Sequence, residues 1–237
     1  NLERTEGRRI SELINDDFIA LNLQPYQKQW EHYYKQNDSL NASAQAIDLN
    51  GNVYITGYMI QDVAEKYNYI TLKYNALGEL KWARTYNGTQ NWYDQASAIA
   101  TDNNQNIFVT GTSSSEQGNI DIVSIKYDSL GNVLWTNTFT AGTLQTLCTP
   151  KIITDISGNV YLASTVSSLN SANEDMILIK YNSSGVQLWQ QRFNGNANLN
   201  DNCNAICLDS DENIYIAGAT EIAANNKNFI ILKYDNR

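Results

Sequence analysis

The chain has 237 residues, with 16 Lys and Arg against 25 Asp and Glu, for a formal net charge of −9. That length fits one domain of ordinary size. An acidic chain without basic clusters argues against nucleic-acid binding, which depends on neutralising phosphates, and no apolar run approaches a membrane span.

Residues 1–25 stand apart from the rest of the chain. Ile10, Leu13, Ile14, Phe18 and Leu21 recur at helical spacing, and Pro25 lies just beyond them. The pattern predicts a short amphipathic helix from Arg9 to Ala20. Such a helix packs on its own domain or docks a partner protein. The sequence opens on Asn1, which we read as a mature form with its leader removed.

From residue 26 onward a single pattern repeats four times. Lys-Tyr pairs recur at Lys73-Tyr74, Lys126-Tyr127, Lys180-Tyr181 and Lys233-Tyr234, 53 or 54 residues apart. Tryptophan recurs at Trp30, Trp82, Trp135 and Trp189, each followed four residues later by Tyr34, Tyr86, Phe139 or Phe193. Asp48, Asp102, Asp155 and Asp209 keep step, each with an asparagine four residues on. Short apolar runs come next: Val53-Tyr54-Ile55, Ile107-Phe108-Val109, Val160-Tyr161-Leu162 and Ile214-Tyr215-Ile216. A period in this range marks an array of one supersecondary unit.

Each unit holds four segments of strand character, bounded by Gly, Asn, Asp and Ser. In the second unit these are Glu79–Tyr86, Ala96–Thr101, Asn106–Gly111 and Asp121–Tyr127. Turn residues between apolar runs give tight antiparallel hairpins. Four strands per unit of about fifty residues are propeller blades. The expected fold is therefore all-β, a β-propeller of four blades with four antiparallel strands each, over residues 26–237. The Ala-rich strand is expected innermost, where blades crowd, and the Trp strand outermost. The chain begins with a Trp strand, Gln29–Tyr34, and ends with a Lys-Tyr strand. The first is expected to pair with the last and close the ring, removing open sheet edges.

The strings "DLNGNVYITGY", "KYDSLGNVLWTNTF" and "DISGNVYLAS" resemble the bacterial β-propeller repeat called SBBP, and the resemblance runs over residues 27–237. It implies an exported or surface-associated bacterial protein and transfers no catalytic residues. The family is described as seven-bladed, whereas four repeats are present here. A four-bladed ring, a fragment, and a ring shared between chains all remain open.

Candidate chemistry is sparse. His32 is the only histidine, and no Ser-His, Cys-His or metal-ligand arrangement accompanies it. The repeated lysines read as structural strand-surface positions. Asp209-Ser210-Asp211-Glu212-Asn213 superficially resembles a calcium loop, but the glycine and distal glutamate of that motif are missing. A hairpin turn held by side chain to backbone bonds is the better reading, so no cofactor is expected. Cys203 and Cys207, about 13 Å apart along one strand, are too distant for a disulfide, leaving Cys148–Cys203 as the conceivable pair. Asp38-Ser39-Leu40 and Asp128-Ser129-Leu130, placed in loops or turns, match a short O-glycosylation triplet.

Of the five tryptophans, Trp92 alone is off the pattern. It sits in Asn87-Gly88-Thr89-Gln90-Asn91-Trp92-Tyr93-Asp94, a loop between a Trp strand and the next inner strand. An off-pattern Trp-Tyr pair among Asn and Asp offers large contact area to a sugar or peptide. The corresponding polar loop two units on contains Asn198 and Asp201. Trp92, Tyr93, Asp94, Asn198 and Asp201 are the candidate ligand-binding residues; in the bland alternative Trp92 fills local core and Asp94 and Asp201 cap turns. The expected function is a non-enzymatic binding or scaffold module for a protein or glycan. The alternatives are a structural subunit of a surface assembly, including a homo-oligomer, and, less favoured, a polysaccharide hydrolase or lyase.

Overall fold

A computed structural model describes residues 27–34, 39–60, 66–115, 118–142, 149–167 and 173–235. The helix expected over Arg9–Ala20 and Cys148, the conceivable disulfide partner of Cys203, lie outside the described residues. The chain divides into two units, Asn1–His32 and Tyr33–Arg237. In the first, Lys28 pairs with Glu31, and the rings of Trp30 and His32 stand 5.6 Å apart.

The second unit is all-β. Blade 1 is β1 (Ser39–Ile47), β2 (Val53–Ile60), β3 (Tyr67–Tyr74) and β4 (Leu80–Tyr86). Blade 2 is β5 (Asp94–Thr101), β6 (Ile107–Ser114), β7 (Ile120–Tyr127) and β8 (Val133–Gly142). Blade 3 is β9 (Lys151–Thr154), β10 (Val160–Ser167), β11 (Glu174–Tyr181) and β12 (Gln187–Phe193). Blade 4 is β13 (Asp201–Leu208), β14 (Ile214–Ala223) and β15 (Asn226–Tyr234). Within each sheet the strands follow chain order and pair antiparallel. The first strands of the blades, β1, β5, β9 and β13, pack in succession along the inner side. The Trp strands β4, β8 and β12 are the outer edges. The Ala-bearing β1, β5 and β13 and the Trp strands lie where side-chain size placed them, whereas β9, Lys-Ile-Ile-Thr, takes the inner position without small residues.

The fourth sheet departs from it. It has three strands, and residues 29–34 form no strand. The expected closing strand is therefore not made among the described residues. A strand has no stability of its own without a partner ladder. Ser39 and Leu40, expected in a loop, instead open β1, paired with Ile60 and Met59.

Two kinds of turn repeat. Between inner and second strands, Asp48, Asp102, Asp155 and Asp209 each accept backbone N–H bonds from residues two and four ahead, at 2.8–3.0 Å. The asparagine amide closes the turn on the same carboxylate, as from Asn52 to Asp48 at 2.7 Å. Between third and fourth strands, Asn75, Asp128 and Asn182 do the same work. These local bonds select the hairpin over any longer element.

The carboxylates among them carry a pH dependence. Bonds from the Asn213 side chain, with help from the Tyr215 hydroxyl, hold Asp209 down to about 2. The Asn132 side chain and backbone hold Asp128 below its ordinary value. Burial pushes Asp48 up, but bonds from Asn52, Tyr54 and Asn50 together outweigh it and leave it lowered. A carboxyl lowered on folding stabilises the native state above its unfolded value of about 3.9, and that contribution is lost as pH falls toward the folded value. The urea midpoint should therefore be level from about pH 7 to 5 and fall from about pH 4 to 2. Asp209→Asn should flatten part of that fall; an unchanged profile would remove Asp209 from the account.

Successive blades are joined by one repeated grip. Lys73 Nζ and Trp82 Nε1 both donate to the Ser129 carbonyl in the blade 2 turn, at 2.9 and 3.2 Å. Lys126 Nζ and Trp135 Nε1 donate to the Ser183 carbonyl of blade 3, at 2.8 and 3.3 Å. The indoles lie on Gly131 and Gly185, whose φ values are +81° and +83°. Each lysine also stands about 5 Å over an aromatic ring of its own blade, as Lys126 over Phe108 at 5.0 Å. Lys73, Lys126 and Lys180 are buried. This corrects the surface placement expected for them: in Lys73 and Lys126 the alkyl stem packs between sheets while the ammonium reaches a turn carbonyl, and Lys180 stands over the Tyr161 ring at 5.1 Å.

Apolar cores fill the spaces between blades. Tyr54 and Tyr69 of blade 1 meet Val109, Val123 and Tyr127 of blade 2. Phe108 and Ile122 of blade 2 meet Leu162, Ile177 and Ile179 of blade 3. Met176 and Leu178 of blade 3 meet Cys203, Ile214 and Ile216 of blade 4.

Candidate functional site

The loops leading into β5 and β13 share one architecture. Asn91 and Asn198 take left-handed φ values of 47° and 52°, which asparagine tolerates better than most residues. Their N–H groups donate to Gly88 and Gly195 carbonyls, both at 2.9 Å. Asp94 and Asp201 are fully buried. They accept from the Gly88 and Gly195 N–H groups at 2.7 and 2.6 Å. A side chain on either glycine would run into that carboxylate. Burial pushes the Asp94 carboxyl up, opposed by bonds from Ser113 and Gly88. Asp94, Asn198 and Asp201 are thus internal ties of their loops. Because β9 lies between β5 and β13 in the inner succession, the residues expected from the two loops do not form one group.

What distinguishes the β5 loop is its aromatic pair. Trp92 and Tyr93 meet edge to face with centroids 5.4 Å apart, where the β13 loop has Leu199 and Asn200. Tyr93 is 38% exposed. Its backbone is fixed to β6, since its carbonyl accepts from Ser114 N–H at 3.0 Å and from the Ser114 hydroxyl at 3.1 Å. Tyr67 at the start of β3 meets Tyr93 and Tyr58 with tilted rings, centroids 5.2 and 4.9 Å apart. A parallel bridge also joins Tyr67 to Tyr93. Lys66 Nζ stands 4.7 Å from the Trp92 ring centre.

Four aromatic rings therefore run in series across the junction of blades 1 and 2. Beside them lies a cleft of about 320 Å³ lined by Tyr67, Tyr93, Gln95, Thr112, Ser114 and Ile120. Gln95 and Thr112 also line a neighbouring cavity of about 360 Å³ that reaches Ser43, Tyr58, Ser97 and Lys151. Apolar ring faces next to amides and hydroxyls can hold a ligand that presents both C–H surfaces and hydroxyl groups.

Sequence reasoning found Trp92 and Tyr93 and missed Tyr58, Tyr67 and Gln95. A signal was present for Tyr58: it follows Gly57 where the second unit has Thr112 after Gly111, so it too is off the repeat. Tyr67 and Gln95 come to the cleft through strand pairing that the pattern alone does not show.

Antiparallel sheets of three or four strands in chain order, packed side by side through their first strands, make the second unit a β-propeller. Residues 84–118 match the family described as SBBP, a beta-propeller repeat. No curated protein matches the chain. Among solved structures, a neuraminidase-like protein of A/little yellow-shouldered bat/Guatemala is 12% identical with a TM-score of 0.48, covering 82% of this chain and 59% of its own. The β-propeller domain of the Trilobed protease from Pyrococcus furiosus is 10% identical with a TM-score of 0.48, covering 83% and 55%. An endo-arabinase from Bacteroides thetaiotaomicron is 12% identical with a TM-score of 0.47, covering 81% and 74%. The chain thus spans less than two thirds of the first two.

Proposed function

We propose that this protein is a non-enzymatic binding module whose aromatic cleft between blades 1 and 2 takes a glycan. The observation that carries the reading is the ring series Tyr58, Tyr67, Tyr93 and Trp92 beside Gln95, Thr112 and Ser114. Pyranose rings present an apolar C–H face that stacks on aromatic rings, and an edge of hydroxyls that bonds amides and alcohols. The residues lining the cleft include neither a carboxylate nor an imidazole, so they favour recognition over proton transfer. Two bound elements fix the Tyr93 backbone, so the site is held in place before the ligand arrives. An extracytoplasmic setting, expected from the SBBP resemblance, fits a glycan ligand. Among the described residues no helix is long and apolar enough to cross a membrane.

The test is a glycan panel read by calorimetry on the full chain. A neutral oligosaccharide should bind, and Trp92→Ala and Tyr93→Ala should each weaken it by about tenfold or more, ~1.4 kcal/mol. Asp201→Asn, in the other loop, should leave affinity unchanged. Equal affinity in the Trp92→Ala protein would remove the site, and no binding across the panel would remove the reading.

A further inference from the structure

Blade 2 lacks one side chain with which blade 3 closes a space beside its own sheet. In blade 3 the Arg192 guanidinium of β12 donates to the Asp175 carboxylate at 3.1 Å and to the Ser167 carbonyl at 2.7 Å. Blade 2 keeps two of these three residues. Lys126 corresponds to Lys180, so Asp121 stands for Asp175. Phe108 corresponds to Tyr161, so Ser114 stands for Ser167. Trp135 corresponds to Trp189, which puts Thr138 where blade 3 has Arg192. Strand register agrees: Thr138 pairs with Val123 as Arg192 pairs with Ile177. Blades 1 and 4 have Asn68 and Asn228 at the carboxylate position. Blade 2 therefore keeps the acid without the base.

The space is open. A cleft of about 440 Å³ is lined by Asp121, Ser114 and Thr138, together with Ser113, Thr140 and Tyr86. Its size falls in the usual range of ligand sites, roughly 300–1,000 Å³. Register sets Ser113 beside Asp121, and Asp121 beside Thr140, on one face of the blade. Among the described residues no hydrogen bond or ion pair reaches the Asp121 carboxylate. Burial pushes the Tyr86 phenol up, and the charges of Asp94 and Asp121 push it the same way, against a bond from Ser113. The phenol thus stays neutral in the field of two carboxylates. No lysine or arginine lines the cleft.

We propose that this cleft binds a guanidinium group, the arginine side chain of a partner chain, in the place that Arg192 fills within blade 3. A carboxylate among hydroxyls offers acceptors in several directions to the planar fork of N–H donors. A lysine ammonium, a compact point charge, would match fewer of them. The chain's net charge of −9 favours approach of a basic partner. The cleft adjoins the aromatic one through Ser114, but its ligand chemistry does not rest on the glycan reading.

Two experiments on the full chain test this. In the first, N-acetyl-arginine amide is titrated at low salt and followed by backbone amide NMR. It should bind with a Kd of about 1–10 mM, moving the resonances of Ser113, Ser114 and Asp121. The citrulline analogue, of the same shape but uncharged, should move none of them. The lysine analogue should bind about threefold more weakly or less, and Asp121→Asn should weaken arginine binding by about tenfold. The second experiment needs no ligand. Thr138→Arg should rebuild the blade 3 pair, raise the thermal midpoint by about 2–4 °C and block the arginine analogue. Adding Asp121→Asn should erase that gain. Four results overturn the proposal: no movement at about 50 mM arginine analogue, binding that survives Asp121→Asn, a citrulline or lysine analogue that binds equally well, or a Thr138→Arg protein that gains nothing from Asp121.

Discussion

Gly111→Ala is expected to destabilise the protein by about 3 kcal/mol or more, lowering the thermal midpoint by roughly 6–12 °C. The reason lies in the inner strand. β5 bulges between Ala96 and Ala98, and β6 passes directly over the bulge at Gly111. A Cβ there would sit 2.6 Å from Ala96 Cα and closer still to the Gln95 carbonyl oxygen. Both are backbone atoms that cannot rotate away. The bulge itself has a purpose, because it turns Ser97 so that its hydroxyl donates to the carbonyl of Pro150, the residue before β9, at 2.8 Å. Bulges of this kind re-aim one residue at the cost of regular pairing. Blades 1 and 4 repeat the arrangement: Gly57 lies opposite the break at Ala42/Ala44, and Gly218 opposite Cys203/Ala205. Blade 3 has Ser164 in that position, and its ladder to β9 ends one residue earlier, at Ala163. Chemical denaturation of Gly111→Ala beside Gly88→Ala would separate this effect from a loop effect. A midpoint loss below about 1 kcal/mol would mean that β5 can shed its bulge.

Much of this fold was legible because its determinants are local. Asp48 and Asn52, four residues apart, bond within their own turn, so spacing alone reveals the hairpin. The small residues Ala96, Ala98 and Ala100 mark the crowded inner strand without reference to any partner. What failed to show depends on neighbours more than fifty residues away. Lys126 looks like a surface residue in its own strand, and only the Ser183 carbonyl of the next blade explains its burial. Desolvation lowers its ammonium, opposed by the charge of Asp102; no local pattern records such a balance. Gln29–Tyr34 carries the tryptophan and aromatic of the repeat yet forms no strand, whereas β4, β8 and β12 with the same motif do; the motif alone does not specify pairing. The candidate site divides the same way. Trp92 stood out as an exception to the repeat, whereas Tyr67 reached the cleft through a bridge to Tyr93.

Leu178→Ala is expected to cost about 2–5 kcal/mol, while Ile231→Ala, at the corresponding position of the next blade, should cost no more than about 0.5 kcal/mol in dilute single-chain solution. The two residues share strand, face and register in the repeat, so sequence context predicts equal effects. Burial separates them. Leu178 is 1% exposed between Cys203, Ile214 and Ile216, and its truncation leaves a cavity between two sheets that cannot close. Ile231 is 74% exposed, and its truncation removes surface that water already reaches. In an array each blade is stabilised largely by its neighbours, so the Leu178 cavity should also loosen blade 4 more than blade 2. Hydrogen exchange would read this as faster exchange in β13–β15 with β6 and β7 unchanged. Equal losses in both variants would show that the forward face of blade 4 is covered even in a single chain, and the array would then close on itself.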